Sequence, residues 1–492
     1  MAKHAGTVTP ISKLHPGAGH PAAGHPAHAE KSPAAPPALP DQPGLSPEER
    51  AAAGKALRAK VPRNTHGLWK RHHGRADPLA LLRQADAERI PELVPIRYGR
   101  MLATPFTYYR GAAGVMAADL AHTPATGIHV QACGDCHLLN FGGFATPERN
   151  IIFDINDFDE TLPAPWEWDV KRLAASFVLA ARARGLADDT GRDVAITSVR
   201  SYRKHLRAYA ALTPLEVWYA QVSADDLMSL LPASIRSMVQ ARIEKASRQS
   251  GSELDYPKLA GMVGGKIAIR DTPPLIYHPD VTRRPDFDAI LEQVFGAYRD
   301  TLPDDRRELL DRYHLVDAAI KVVGIGSVGR RCWIALMMSD ANDPLFLQFK
   351  EAAASVLEPY AGQSVYAHHG QRVVAGQRLM QPASDIFLGW VTEATQKRQF
   401  YVRQLRDAKI KPLVETFDAE LFEVYARACG WALARAHAKV GDAATIGGYL
   451  GASDKFDVAI GDFAVAYADE AERDHAALRA AVRAGKIIVY QE

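Results

Sequence analysis

The chain has 492 residues, 47% of them hydrophobic, which is enough apolar material for a large core or for several domains. Lys and Arg number 59 against 57 Asp and Glu, a balance that leaves no broad basic surface for a phosphate backbone, so nucleic acid is not an expected partner. The four cysteines Cys133, Cys136, Cys332 and Cys429 are too few to staple such a chain, and no stretch reaches the ~18 apolar residues of a membrane span, so a cytoplasmic protein with reduced thiols and no membrane partner is expected.

Residues 1–45 are rich in Pro, Ala, Gly and His, with ten prolines among the first fifty residues. They hold almost no large apolar side chains to offset the entropy of ordering, so a disordered tail is expected. Its histidines (His15, His20, His25, His28) read as low-complexity sequence rather than as a metal site. Order is expected to begin at Ser46-Pro47-Glu48-Glu49, a serine cap with proline at the first helical position and glutamate at the third. A helix-rich region follows to about residue 120. Residues 128–132 and 151–155 then read as strands, 166–250 and 285–320 as helices, and 319–323, 332–338 and 345–350 as three consecutive antiparallel strands joined by tight turns. Further strands are expected at 384–390 and 400–405, with helix from about 418.

The densest chemistry lies in Cys133-Gly134-Asp135-Cys136-His137-Leu138-Leu139-Asn140, Phe153-Asp154-Ile155-Asn156-Asp157-Phe158-Asp159-Glu160 and Trp168-Asp169-Val170-Lys171-Arg172. Four carboxylates within residues 154–160 repel one another unless cations compensate them, and magnesium is the economical candidate. Asp135 with Asn140 five positions later offers a carboxylate for an arriving hydroxyl and a neutral oxygen for the metal, the parts that phosphoryl transfer needs. Cys133-x-x-Cys136-His137 also matches a haem-attachment signature. That chemistry requires export, for which no signal peptide is seen. A zinc pair at Cys133 and Cys136 lacks a second Cys-x-x-Cys.

Gly134-Asp135-x-His137-x-x-Asn140 resembles the catalytic loop of kinase-like phosphotransferases of the aminoglycoside and choline kinase type, with Cys133 in place of the usual histidine. The resemblance implies Asp135 as the catalytic carboxylate, His137 as a residue orienting the loop, and Asn140 and Asp157 as magnesium ligands. Asp154 is the competing metal ligand, and Asp169, twelve residues after Asp157, takes the place of the aspartate in the later motif. From about residue 95 onward the chain is similar to the DUF2252 family of uncharacterised bacterial proteins, which carries the same Gly-Asp-x-His-x-x-Asn-Phe and Asn-Asp-Phe-Asp-Glu motifs.

Gly324-Ile325-Gly326-Ser327-Val328-Gly329 runs into a predicted strand rather than a helix, which suits a kinase glycine lid and not a Rossmann loop. Lys350, 21 residues after Gly329, resembles the lysine that pairs with nucleotide phosphates. The helix expected at 371–381 carries no glutamate to hold it, leaving Glu351 or Glu358. Because the lid and lysine follow the catalytic loop, the resemblance implies a circularly permuted, two-lobed, protein-kinase-like α+β fold. Residues 431–437 then stand for the helix that precedes the catalytic loop. The expected parts are a large lobe from 46–314 and 411–492 and a small β lobe from 315–410. ATP and magnesium are the implied cofactors, with Gly324, Gly326, Ser327, Gly329 and Lys350 on the phosphates and a small-molecule hydroxyl as acceptor. AMP transfer and non-catalytic nucleotide binding remain open. Arg97, Arg100 and Arg110, set among aromatic residues, suit either an anion or structural ion pairs.

Overall fold

The structure, a computed structural model, describes residues 44–248, 256–405 and 408–490. The Pro- and His-rich stretch therefore lies, as far as residue 43, outside the described residues. Helix α1 (Pro47–Ala56) starts at the expected cap: Ser46 Oγ accepts from Glu49 N–H at 3.2 Å and Glu49 Oε2 accepts from Ser46 N–H at 2.7 Å. Four short helices follow, α2 (Pro78–Asp86), α3 (Val94–Leu102), α4 (Pro105–Gly111) and α5 (Ala113–Leu120). Proline in the first turn of α2, α3 and α4 presets the backbone for helix entry.

The strands expected near 130 and 153 are present as β1 (His129–Ala132) and β3 (Ile151–Ile155), each paired with a strand the sequence conceals. β2 (Phe141–Ala145) pairs antiparallel with β3, and β4 (Leu162–Pro165) with β1. The glycines of β2 answer a close approach: a Cβ on Gly142 would stand 2.8 Å from Ile410 O, and Gly143 exchanges backbone hydrogen bonds with Ile410.

Helices α6 (Trp166–Ala183), α7 (Asp188–Tyr209), α8 (Pro214–Tyr219), α9 (Ala224–Leu230) and α10 (Ala233–Arg248) come next, followed by the β5–β6 hairpin (Ala260–Val263, Lys266–Ile269) and the short β7 (Ile276–Tyr277). After α11 (Phe287–Arg299) and α12 (Asp304–Leu310) come β8 (Tyr313–Lys321), β9 (Cys332–Ser339) and β10 (Pro344–Glu351). Helices α13 (Glu358–Ala361) and α14 (His369–Met380), strands β11 (Gly389–Glu393) and β12 (Arg398–Gln404), and helices α15 (Ala419–Val440), α16 (Ala443–Leu450) and α17 (Lys455–Arg483) complete the described chain.

The architecture is mixed α+β. One antiparallel sheet has the order β11-β12-β10-β9-β8-β7, so the three consecutive strands read from the sequence are neighbours in it. β8 begins earlier than expected because its first half, Tyr313–Asp317, is only partly buried and mixes the polar His314 and Asp317 with apolar residues. The strand expected at 384–390 is displaced to 389–393, since Asp385 turns the chain by accepting from Phe387 N–H and Gln404 N–H.

Two-residue periodicity sorts the side chains of β10. Leu345, Leu347 and Phe349 pack on Tyr298 and Leu302 of α11 and its end, and Leu310 of α12 joins the same cluster. The alternate positions Gln348 and Lys350 face the other way. A separate, larger core is built from α6, α7, α15 and α17 around Trp166, Phe177, Tyr202, Phe422, Leu433 and Phe463. No described helix is long and apolar enough to cross a membrane.

Candidate functional site

A cleft of ≈ 780 Å³ gathers the loop after β1, the end of β3, the turn between β8 and β9, and the inner face of β10. Its walls include Asp135, His137, Asn140, Asp157, Gly324, Gly326, Ser327 and Lys350, so segments almost 200 residues apart in sequence share one cavity.

The loop after β1 is fixed from helix α6. Gly134 adopts φ +84°, open to glycine at little cost, and a Cβ there would meet Glu160 O at 2.3 Å. The fully buried Asp169 accepts from Cys133 N–H at 2.6 Å and Gly134 N–H at 3.0 Å, and His437 Nε2 of α15 lies 3.3 Å from the same carboxylate. Three residues along α6, on the same helix face, Arg172 donates to Asp135 Oδ1 from Nε at 2.7 Å and also from Nη2. Burial pushes the Asp135 carboxyl up, but the charged Arg172 and Arg110 outweigh it and leave Asp135 below the ordinary carboxylate value. Asn140 Nδ2 donates to Asp135 O at 2.7 Å, and Asn156 N–H donates to Asn140 O at 2.7 Å, tying the loop to the end of β3. His137 is buried and its pKa falls to about 3, so it is neutral. Its Nε2 stands 3.8 Å from Asp135 Oδ2.

Opposite lies a lysine–aspartate cluster. Lys350 Nζ is 2.5 Å from Asp159 Oδ2 and 3.7 Å from Asp157 Oδ1, with only 3% of its side chain exposed. Burial opposes its charge, yet the two carboxylates hold its pKa well above the ordinary lysine value. Burial also opposes ionisation of Asp159, but Lys350 and the Tyr401 hydroxyl, which donates to Asp159 Oδ1 at 2.7 Å, bring it below the carboxylate range. Asp157 is the acid left over: burial and the neighbouring Asp159 push it up, and 35% of its side chain remains open.

The glycine segment is a 3₁₀ turn, Ile325–Ser327, closing the β8–β9 hairpin. Arg89 donates to Gly326 O at 2.9 Å and also to Val328 O, Gly329 adopts φ +88°, and Ser327 Oγ reaches Asp159 Oδ2 at 3.3 Å. The glycine turn thus touches the acidic loop directly.

Asp154 is not brought into the cleft. It points from the other face of β3 to Arg435 Nη2 at 2.6 Å, fully buried. Glu351 and Glu358 do not hold Lys350 either. Glu351 pairs with Arg398 at 2.8 Å, and Glu358 accepts from Ser355 N–H. On α14, where a glutamate was sought, Arg372 instead donates to the carbonyls of Asp159, Thr161 and Ala353, fastening the acidic loop through its backbone. Of the three arginines, Arg97 is engaged by Asp86 and Gly111 O and Arg100 donates to Val323 O. Arg110 lines the cleft with its Nε unpartnered. The cysteines are free and buried. Sequence reasoning missed Asp159 as the partner of Lys350, Arg172 as the partner of Asp135, and Arg403, whose guanidinium contacts Gln348 and the Asn156 carbonyl in the cleft. The i, i+3 step from Asp169 to Arg172 was the signal available for the second. Among the described residues, no three His, Cys, Asp or Glu side chains form a metal cage.

The class these features define is a mixed α+β protein whose cleft sets a loop carboxylate against a buried lysine–aspartate cluster. The chain belongs to DUF2252, a family described as uncharacterized protein conserved in bacteria, whose model matches residues 89–481 and so spans both sides of the cleft. No curated protein and no solved structure matches it.

Proposed function

We propose that the protein is a phosphotransferase using ATP and magnesium, with a circularly permuted, two-lobed kinase-like fold, acting on the hydroxyl of a small molecule. The observation that carries this reading is Lys350 Nζ in one cleft with Asp157, Asp159, Asp135 and Asn140. Lys350 and the Gly324–Gly329 turn would hold the nucleotide phosphates. Asp135, ionised and oriented by Arg172, would accept the hydroxyl proton.

The residues fit magnesium. Magnesium binds through one or two carboxylates together with substrate phosphates, so it needs no all-protein cage. Asp157 keeps 35% of its side chain open and is incompletely compensated, and Asn140 has its Oδ1 left as a neutral ligand because its Nδ2 is engaged by Asp135 O.

Permutation is supported at the end of α15. A Cβ on Gly441 would stand 2.6 Å from Val130 Cγ1, so the helix that would precede the catalytic loop in an unpermuted chain abuts the strand leading into that loop. His437 of that helix reaches Asp169.

The test is label transfer from ATP carrying radioactive phosphorus at the γ or the α position, with pools of small hydroxyl compounds. Transfer of γ-label that Asp135→Asn and Lys350→Ala abolish is expected. Transfer of α-label instead would make the enzyme an AMP transferase. Saturable ATP binding with no product from either label would make it a nucleotide-binding pseudoenzyme, a reading to which Arg372 in place of a lysine-pairing glutamate lends weight.

A further inference from the structure

Ten Lys or Arg side chains line the cleft against five Asp or Glu, whereas the whole chain is nearly balanced at 59 to 57. The cavity is therefore built for anions. Lys350 answers to Asp157 and Asp159. Arg110, on α4, acts on Asp135 and His137, and the acids that act on it are Asp135 and the exposed Glu415.

Arg110 is not needed as the counter-ion of Asp135, because Arg172 already pairs with that carboxylate. Nor is Arg97, the neighbouring cleft arginine, open to a ligand to the same degree, since Asp86 and Gly111 O take both its Nη groups. Arg110 Nε and His137 Nδ1 are both buried with no hydrogen-bond partner, and the other ring nitrogen of His137, Nε2, stands 3.8 Å from Asp135 Oδ2. A buried polar atom left unpaired is costly, and two on residues that line one cleft mark a place shaped for a polar ligand. The guanidinium is charged at every accessible pH and suits the planar or tetrahedral oxygens of a carboxylate or phosphate.

Resting on the phosphotransferase reading, we infer that Arg110, with neutral His137 donating from Nδ1–H, forms an anion subsite for the acceptor, which is a small hydroxyl compound that also carries a carboxylate or phosphate. The anion held by Arg110 would bring the hydroxyl to Asp135, while the nucleotide phosphates stay with Lys350.

The experiment uses the full chain and titrates inorganic phosphate and acetate by calorimetry, with and without a saturating non-hydrolysable ATP analogue and magnesium. Phosphate, acetate or both should bind while the analogue is bound, and which of them binds tells a phosphorylated from a carboxylated acceptor. Arg110→Gln should weaken that binding by about tenfold or more, as expected for loss of a charge-assisted contact. The same variant should leave analogue affinity within about twofold, and Arg110→Lys, which keeps the charge but not the planar fork, should weaken anion binding less than Arg110→Gln does. Melting curves verify that both variants are folded. The inference is overturned if the wild type binds neither anion, if Arg110→Gln binds both unchanged, or if the anions compete with the analogue. If the analogue fails to bind but anion binding still depends on Arg110, the nucleotide reading falls and the anion subsite stands.

Discussion

Asp169 is the hinge between fold and site, and replacing it should be costly in a way that can be localised. Its carboxylate is buried and accepts from the amides of Cys133 and Gly134 at 2.6 and 3.0 Å, with His437 Nε2 at 3.3 Å. Asp169→Ala removes the acceptor and leaves two buried N–H donors unsatisfied. At about 1–3 kcal/mol for each such donor, the loss is about 2–6 kcal/mol. Asp169→Asn keeps one carbonyl oxygen but turns an NH₂ toward the second amide, so its cost should be about half as large. Urea unfolding at neutral pH, followed by tryptophan fluorescence from the adjacent Trp166 and Trp168, measures the global change. Hydrogen exchange at the Cys133 and Gly134 amides reads the local one. A loss below about 1 kcal/mol for Asp169→Ala, unchanged amide protection, or an Asn variant as damaging as the Ala variant would refute the idea that this carboxylate shapes the loop.

Gly134→Ala should destabilise the loop and abolish whatever activity depends on Asp135, because it combines φ +84° with a Cβ 2.3 Å from Glu160 O; full activity with an unchanged melting temperature would contradict this. Asp154→Ala should cost about 3–5 kcal/mol by leaving Arg435 buried without its partner, yet leave nucleotide affinity unchanged, whereas Asp157→Ala should do the reverse. Equal loss of ATP binding in both would return Asp154 to the site. Burial pushes His66 and His137 down to about 3. Their contribution to stability is therefore whole above the ordinary histidine value of about 6.5 and is lost as pH falls from there toward 3. Urea midpoints should drop below pH 6.5, and the His137 ring should show no NMR titration between pH 5 and 8. A His137 midpoint near 6.5 would exclude the buried neutral form.

Much of the framework was legible because it follows from local rules. The Ser46–Glu49 capping box, the helical periodicity of α6 and the turn chemistry between β8, β9 and β10 each act within a few residues. β2 and β4 were concealed because Phe141-Gly-Gly-Phe-Ala and Leu-Pro-Ala-Pro have poor strand propensity. Their pairing is enforced by β3, β1 and the approach of Ile410. Within the site, Asp135, Asn140, Asp157 and Lys350 were readable from motif spacing. The choice between Asp154 and Asp157 turned on Asp154's partner: its side chain leaves β3 toward Arg435, some 280 positions away, whereas Asp157 lies in the loop beyond the strand. The lysine's partner escaped for the same reason. A glutamate was sought on the next helix, but the counter-charge comes from Asp159, in a loop far earlier in the chain.

The central claim is that Lys350 and Asp157 grip one magnesium nucleotide across the cleft. Calorimetric titration of the full chain with ATP, with and without magnesium, tests it most directly in the wild type, Lys350→Ala and Asp157→Asn. Saturable binding that magnesium strengthens, and that either substitution weakens by about tenfold or more, is the expected result. No binding at millimolar ATP, or binding indifferent to magnesium and to both substitutions, would contradict the account.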